Sequence, residues 1–318
     1  MSQEVPLASS KRIRAYLILL SVSLIWGSAF VVQRVAATHM NIFLFNGARF
    51  LLGALVLLPL EWYTRRKNEI RRELDKRTLL GIILAGIVIF CGANLQTLGM
   101  RYTTAGNAGF ITGLYVVMVP ILLAVGWRQW PRPIILISVG LAAVGMFLLS
   151  TSGHLRLAFG DGLEVIGAML WAFHVILVGY LVQRGPILHI SIGQNLVCGL
   201  LSLIVVFASS QGDAFAGWAD AWWTVVYTGI LSIGVGFTLQ LVGQKETAPS
   251  DAAIILSLEA VFSALFGWLI LDERLNGVQI LGCILMITAM LLAQLPVQSF
   301  EGLRIRQRLK DSDRTEIE

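Results

Sequence analysis

Ten long apolar runs constrain this chain more than any other feature. They fall at about 15–34, 42–60, 78–98, 105–124, 132–150, 162–182, 190–208, 222–242, 252–271 and 278–295. A helix needs about 20 mostly apolar residues to cross about 30 Å of hydrocarbon, and each run is close to that length. A soluble domain carries roughly a quarter of its residues as charges; here 56% are hydrophobic and 14% charged. The chain cannot cover a water-facing globule, and it does not read as a disordered, disulfide-rich or nucleic-acid-binding protein. Cys91, Cys198 and Cys283 stand singly inside apolar runs, without metal or redox spacing. The first run follows Lys11, Arg12 and Arg14. It is longer than the core of about 7–15 residues in a secretory signal, and no small-residue cleavage site follows at the right distance. It is expected to stay as a helix.

With ten spans both ends of the chain lie on one side of the membrane, and Lys and Arg placement decides which. If the ends are cytoplasmic, 19 basic residues fall inside. They are three before the first run, seven in 61–77, Arg128, Arg132, Arg184 and Lys245, and five in 304–314. Four fall outside: Arg34, Arg101, Arg156 and Arg274. This is the positive-inside bias of a correctly counted chain, and it is a simpler account of the basic segments than a nucleic-acid patch. The expected location is the inner (plasma) membrane, with both termini cytoplasmic.

The chain also repeats itself. A shift of 144 lays Leu95-Gln96-Thr97-Leu98-Gly99 on Leu239-Gln240-Leu241-Val242-Gly243, and pairs Arg101 with Lys245 and Asn107 with Asp251. A shift of 145 pairs Leu24-Ile25-Trp26 with Met169-Leu170-Trp171, and 142 pairs Gly140 with Gly282. Near-equal offsets at three places point to a duplicated five-helix unit. Five is odd, so the second copy enters the membrane from the opposite side. Inverted repeats are an architecture of secondary transporters, with the substrate site near the midplane between the halves. The expected division is an N-terminal tail 1–14, a first repeat 15–150, an external linker 151–161, a second repeat 162–296 and a C-terminal tail 297–318.

Several segments resemble the EamA family of the drug/metabolite transporter superfamily. Trp26-Gly27-Ser28 is similar to its Trp-Gly-Ser/Thr opening, and Asn46-Gly47-Ala48-Arg49-Phe50 to its "a-x-R-f" signature. The run Ala105-Gly106-Asn107-Ala108-Gly109-Phe110-Ile111-Thr112-Gly113-Leu114-Tyr115 resembles a common first-repeat form. Leu258-Glu259-Ala260-Val261-Phe262 resembles "l-E-P-v-f" with Ala260 in the proline place, and Leu271-Asp272-Glu273-Arg274-Leu275 resembles "g-E-r-l". Gly126-Trp127-Arg128-Gln129-Trp130-Pro131 departs from the family, which often has an acidic residue at that corner. The resemblance implies a ten-helix exporter or facilitator of small polar metabolites, often amino acids or their derivatives.

Charge inside the bilayer is expensive, about 2.5–3.5 kcal/mol per group even on insertion scales, and marks function or pairing. By the run boundaries only Arg49 and Glu259 lie well inside a span. The candidate substrate-binding set is Trp26, Arg49, Asn94, Thr112, Tyr115, Trp171, His174, Ser257 and Glu259. Trp26 and Trp171 occupy matching places in the repeats, and Glu259 and His174 are the candidates for proton coupling. Packing is the alternative for each. A paired arginine, a satisfied histidine and a tryptophan in the core need no substrate. Ala105, Gly109 and Gly113 recur every fourth residue, a spacing that favours close helix packing.

The expected protein is an all-α polytopic membrane transporter of ten helices in two inverted five-helix repeats. Its expected partners are a small-molecule substrate and the lipid bilayer, with no nucleic acid, as a monomer or homodimer. No metal or cofactor is expected, and no ATP-binding G-x-x-x-x-G-K-[ST] loop is present. The alternatives are a polytopic enzyme acting on a lipid-linked substrate, and a channel. His39, His154, His174 and His189 fall in separate segments, which disfavours the enzyme.

Overall fold

The computed structural model describes residues 10–67, 74–102, 111–151, 159–209, 214–271 and 274–294. Residues 1–9, the expected C-terminal tail, the Ala105–Phe110 part of the first-repeat motif with its Gly109, most of the expected linker, and Asp272 and Glu273 lie outside the described residues. The described chain is helical: α1 (Ser10–His39), α2 (Ile42–Lys67), α3 (Lys76–Gly99), α4 (Ile111–Trp127), α5 (Pro133–Thr151), α6 (Phe159–Leu181), α7 (Ile187–Ser209), α8 (Trp218–Gln244), α9 in two pieces (Pro249–Leu256 and Glu259–Leu271) and α10 (Gly277–Gln294). Among the described residues, eight helices are long and apolar enough to cross a membrane. The apolar helices α4 and α5 are shorter. The protein is a multi-pass membrane protein.

Two boundaries differ from the sequence expectation. α1 starts at Ser10, so Lys11, Arg12 and Arg14 sit in its first turns rather than in a tail. α6 starts at Phe159, inside the expected linker, and this carries Asp161 and Glu164 into a helix. Runs of apolar residues mark the lipid-crossing stretch, whereas helices continue into polar flanks wherever propensity and caps allow. Asp75 caps α3: its carboxylate accepts the Thr78 backbone N–H at 3.0 Å. The Thr78 side chain, and then this backbone bond, hold the Asp75 carboxyl below its usual range.

Packing follows the repeat. α2 packs on α7 and α5 on α10, each helix against its own counterpart. α3 packs on α6 and α8 on α1; α3 packs on α7 and α8 on α2. Exchanging the repeats therefore maps the contact pattern onto itself, and the two halves interleave rather than stand side by side. α5 and α10 meet at glycines. A Cβ on Gly282 would stand 2.5 Å from the Gly145 carbonyl oxygen, and one on Gly145 would stand 2.7 Å from that of Gly282. Small residues let helix backbones approach where no hydrophobic effect drives association. Outward-facing Leu80, Ile137, Ile204, Phe207, Ile284 and Leu291 are exposed, as a lipid-facing surface requires.

Three helices are irregular, and all three reach the interior. Residues Thr228–Phe237 of α8 wind as a π-helix, a form that in proteins collects at functional sites. α9 is interrupted at Ser257 and Leu258, and α4 at Leu114. The two interruptions match under the 144 shift: Leu114 N–H donates to Ile111 at 3.1 Å, and Leu258 N–H donates to Ile255 at 3.2 Å. Ser23 of α1 also donates its hydroxyl to the Ile255 carbonyl at 2.8 Å, which ties α1 to the break. Irregular backbone at membrane depth is tolerated where it is buried in protein or lines a cavity.

Candidate functional site

The interrupted helices place Tyr115 and Glu259 at equivalent positions, each the first residue after its break. Both line a cavity bounded by α1, α2, α3, α4, α6, α8 and α9. Its volume is about 60 Å³. One water needs about 10–15 Å³ of such volume, so the space suits several waters or one small solute. The repeat organises the lining. Trp26 faces Trp171, Gln96 has Gln240, Phe30 has Val175 and Thr112 has Leu256, all at shifts of 144 or 145.

Arg49 is the cation of this cavity. It is buried, with its Nε donating to Asn46 Oδ1 at 2.9 Å. Its guanidinium lies 4.6 Å from the Phe45 ring centre and 5.2 Å from that of Phe50. Asn46 is fixed in turn by donating to Asn94 Oδ1 at 3.0 Å and Thr97 Oγ1 at 3.3 Å. Asn94 also donates to the Phe90 carbonyl at 2.7 Å. Among the described residues no carboxylate comes within 4.0 Å of Arg49. Glu259 is the acid of the same cavity and has no cation within that distance. The Tyr115 hydroxyl is its near neighbour but does not close to a full hydrogen bond.

Aromatic rings form the rest of the wall. Phe237, from the π stretch, has its ring centre 5.1 Å from Trp26 and 6.2 Å from Trp171. Trp26 donates its indole N–H to the Ser232 carbonyl at 3.2 Å. His174 stands edge-on to Trp171 and Phe237, and its Nε2 is 3.1 Å from Gln194 Oε1. Because that oxygen only accepts, Nε2 carries the proton. Trp171 Nε1, the Tyr115 hydroxyl and Gln240 Oε1 are buried polar atoms without a protein partner, and all three residues line the cavity. Buried polar groups are nearly always satisfied, so the cavity offers unused hydrogen-bonding capacity.

Of the sequence candidates, Trp26, Arg49, Thr112, Tyr115, Trp171, His174 and Glu259 come together here. Asn94 and Ser257 do not reach the lining. Asn94 holds Asn46 behind Arg49, and Ser257 turns its hydroxyl to the Ile254 carbonyl at 2.9 Å, inside the break of α9. Phe237 and Ser232 line the cavity without having been singled out, since nothing in an apolar run marks the face a π-helix will present. One expectation is corrected. Arg49 and Glu259 are not alone in the interior, because Glu164 of α6 is fully buried. Its run was expected to start at 162, which left this residue at an edge; the added turn from Phe159 draws it in. Among the described residues no group of three or more His, Cys, Asp or Glu gathers as a metal site.

Fold and cavity together define a polytopic helical membrane protein that keeps a small compartment, walled mostly by apolar and aromatic side chains but holding Arg49 and Glu259, inside its helix bundle. The model of the EamA-like transporter family matches the chain twice, over residues 13–151 and 158–295. The chain belongs to that family. An uncharacterized transporter of Archaeoglobus fulgidus is 32% identical over 289 residues, covering 90% of this chain and 88% of its own length. The uncharacterized transporter YoaV of Bacillus subtilis is 23% identical over 278 residues, covering 86% of this chain and 94% of its own length. A crystal structure aligns with a TM-score of 0.72 at 17% identity, covering 89% of this chain and 96% of that one. That likeness concerns the fold alone.

Proposed function

We propose that this transporter is a secondary carrier that moves a small zwitterion, an amino acid or related compound, outward across the inner membrane. The two repeats are inverted, both termini are cytoplasmic, and the halves rock about the cavity. One observation carries the substrate class: Arg49 and Glu259 are opposite charges in one cavity, neither with an ionic partner among the described residues. A buried charge persists where something pairs with it. An α-carboxylate suits the guanidinium fork of Arg49, and an α-ammonium suits Glu259. The open donor of Trp171 and acceptor of Gln240 supply orienting bonds, and the rings of Trp26, Phe237 and Trp171 suit an apolar side chain.

The outward direction is taken from the exporters that the family resemblance implies, and the described conformation is compatible with it. At one end of the bundle Asp251 bridges Arg12 at 3.4 Å and Arg132 at 3.2 Å, which ties the starts of α1, α9 and α5 together. The cavity runs from Trp26 along α1 towards Gln33, away from that latch. With the latch cytoplasmic, this is the state from which an exporter releases its cargo.

The test is counterflow. Purified full-length protein in liposomes preloaded with each common amino acid should take up the same labelled compound, with saturation and acceleration by the internal pool. A non-saturating flux would favour a channel. Saturable exchange of solutes that lack either the carboxylate or the ammonium, with none of amino acids, would overturn the zwitterion reading.

A further inference from the structure

Glu164 has no part in the site just described, yet its surroundings are unusual for a packing residue. It is the sixth residue of α6 and is fully buried. Its Oε2 accepts the Thr112 hydroxyl at 3.0 Å, and that hydroxyl accepts Gln96 Nε2 at 3.1 Å. Thr112 and Gln96 both line the cavity, and Glu164 stands immediately behind them. Its other oxygen, Oε1, has no hydrogen-bond partner. That oxygen lies against Gly99, the last residue of α3, where a Cβ would be 2.8 Å away.

Among the described residues, the elements packed on Glu164 bring it no counter-charge. α3 presents Gln96 and Gly99, and α4 presents Thr112. On α6 the ionisable neighbour is Asp161, of the same sign. Arg101, just beyond α3, turns its guanidinium to the Ala37 and Met40 carbonyls, at 2.6 Å each. Among the described residues no cation lies within 4.0 Å of Glu164. A carboxyl used for packing in a membrane interior pairs both oxygens or finds a cation. This one leaves an oxygen open and reaches the transport cavity through a single hydroxyl. It also lies where α3 ends and α6 begins, at the opposite end of the bundle from the Arg12–Asp251–Arg132 latch.

We infer that Glu164 binds the proton that is coupled to transport, and exchanges it with the cavity at the Thr112 hydroxyl. The inference rests on the carrier reading above, but it assigns the proton to a residue separate from the substrate charges. In the step, the protonated Glu164 carboxyl turns its O–H onto Thr112 Oγ1; that O–H bond breaks as Thr112 takes the proton and passes its own hydroxyl proton to water in the cavity. The carboxylate left behind keeps the Thr112 bond, and nothing is oxidised or reduced. Glu259 then remains free to pair with the substrate ammonium.

The experiment compares wild type, Glu164→Gln and Glu259→Gln in proteoliposomes, with labelled common amino acids as probes. Wild type should be accelerated by an imposed pH gradient. Glu164→Gln, whose amide oxygen still accepts from Thr112, should keep counterflow at equal pH and lose that acceleration. Glu259→Gln should lose counterflow. Acceleration retained in Glu164→Gln, or absent in wild type, overturns the inference. A second readout needs no substrate: infrared titration of the purified protein should show a protonated-carboxyl band that is missing in Glu164→Gln. Gly99→Ala, which presses a methyl group onto Oε1, should shift the midpoint of that band. A band unchanged in both variants overturns the inference even if no amino acid is exchanged, whereas failure of exchange alone overturns the zwitterion reading.

Discussion

In the proposed site neither Arg49 nor Glu259 has an ionic partner among the described residues, so substitutions there should change substrate binding before they change folding. In Arg49→Lys the charge stays, but the planar fork and the stacking on Phe45 and Phe50 are lost. The half-saturating amino acid concentration in counterflow should rise on the order of tenfold, corresponding to about 1.4 kcal/mol. Glu259→Gln removes one partner of a buried charge contact, a loss of about 2–5 kcal/mol. Exchange of ammonium-bearing solutes should fall by on the order of a hundredfold or more. Unchanged kinetics in both variants would remove the two side chains from the substrate site. Both residues were legible in the sequence, because a charge deep in an apolar run has no bland surroundings to hide in. Glu164 was not legible: two positions inside an estimated run boundary, a glutamate looks like a helix end meeting headgroups. Asp161 was the usable signal, since an acidic residue is favoured in the first turn of a helix and would have moved the start of α6 back by a turn.

At the level of whole helices the repeat carried the most information, and it carried too little geometry. The 144 shift that aligns Gln96 with Gln240 also aligns the breaks of α4 and α9, but hydropathy cannot register a break without a proline. The π stretch of α8 was equally silent, although Gly229, Gly234 and Gly236 lower its helix propensity. The glycines of the last helix in each repeat show how far sequence matching goes. Gly140 and Gly282 pair at a shift of 142, yet Gly140 faces open space while Gly282 packs on Gly145. Gly282→Ala must push backbone against backbone, and overpacking of this sort costs about 1–3 kcal/mol. Its melting temperature in detergent should drop, whereas Gly140→Ala should hold or gain up to about 1 kcal/mol of helix propensity. Equal behaviour of the two would contradict the close α5–α10 contact.

For the whole molecule, the placement of basic residues makes a claim about sidedness that chemical labelling can check. Tyr102, beyond α3, and Gln129, between α4 and α5, are both exposed. With the three native cysteines replaced, Tyr102→Cys should react with a membrane-impermeant maleimide in intact cells. Gln129→Cys should react only after permeabilisation. The reverse pattern would turn the molecule over and, with it, the direction of release. That the chain is helical, apolar and multi-pass could be read from hydropathy because lipid imposes a single rule on every span. How the halves interleave could not, because van der Waals contact between apolar helices leaves hardly any trace in composition.

The matched breaks in α4 and α9 carry one more consequence. A pair of identical five-helix subunits would have to present the same side chain at both breaks, either two phenols or two acids. Two acids would repel across a small space, and two phenols would leave nothing to hold a positive charge. Covalent duplication lifts that restriction. With Tyr115 on one arm and Glu259 on the other, the repeat survives in the backbone while the chemistry at the two breaks becomes one-sided.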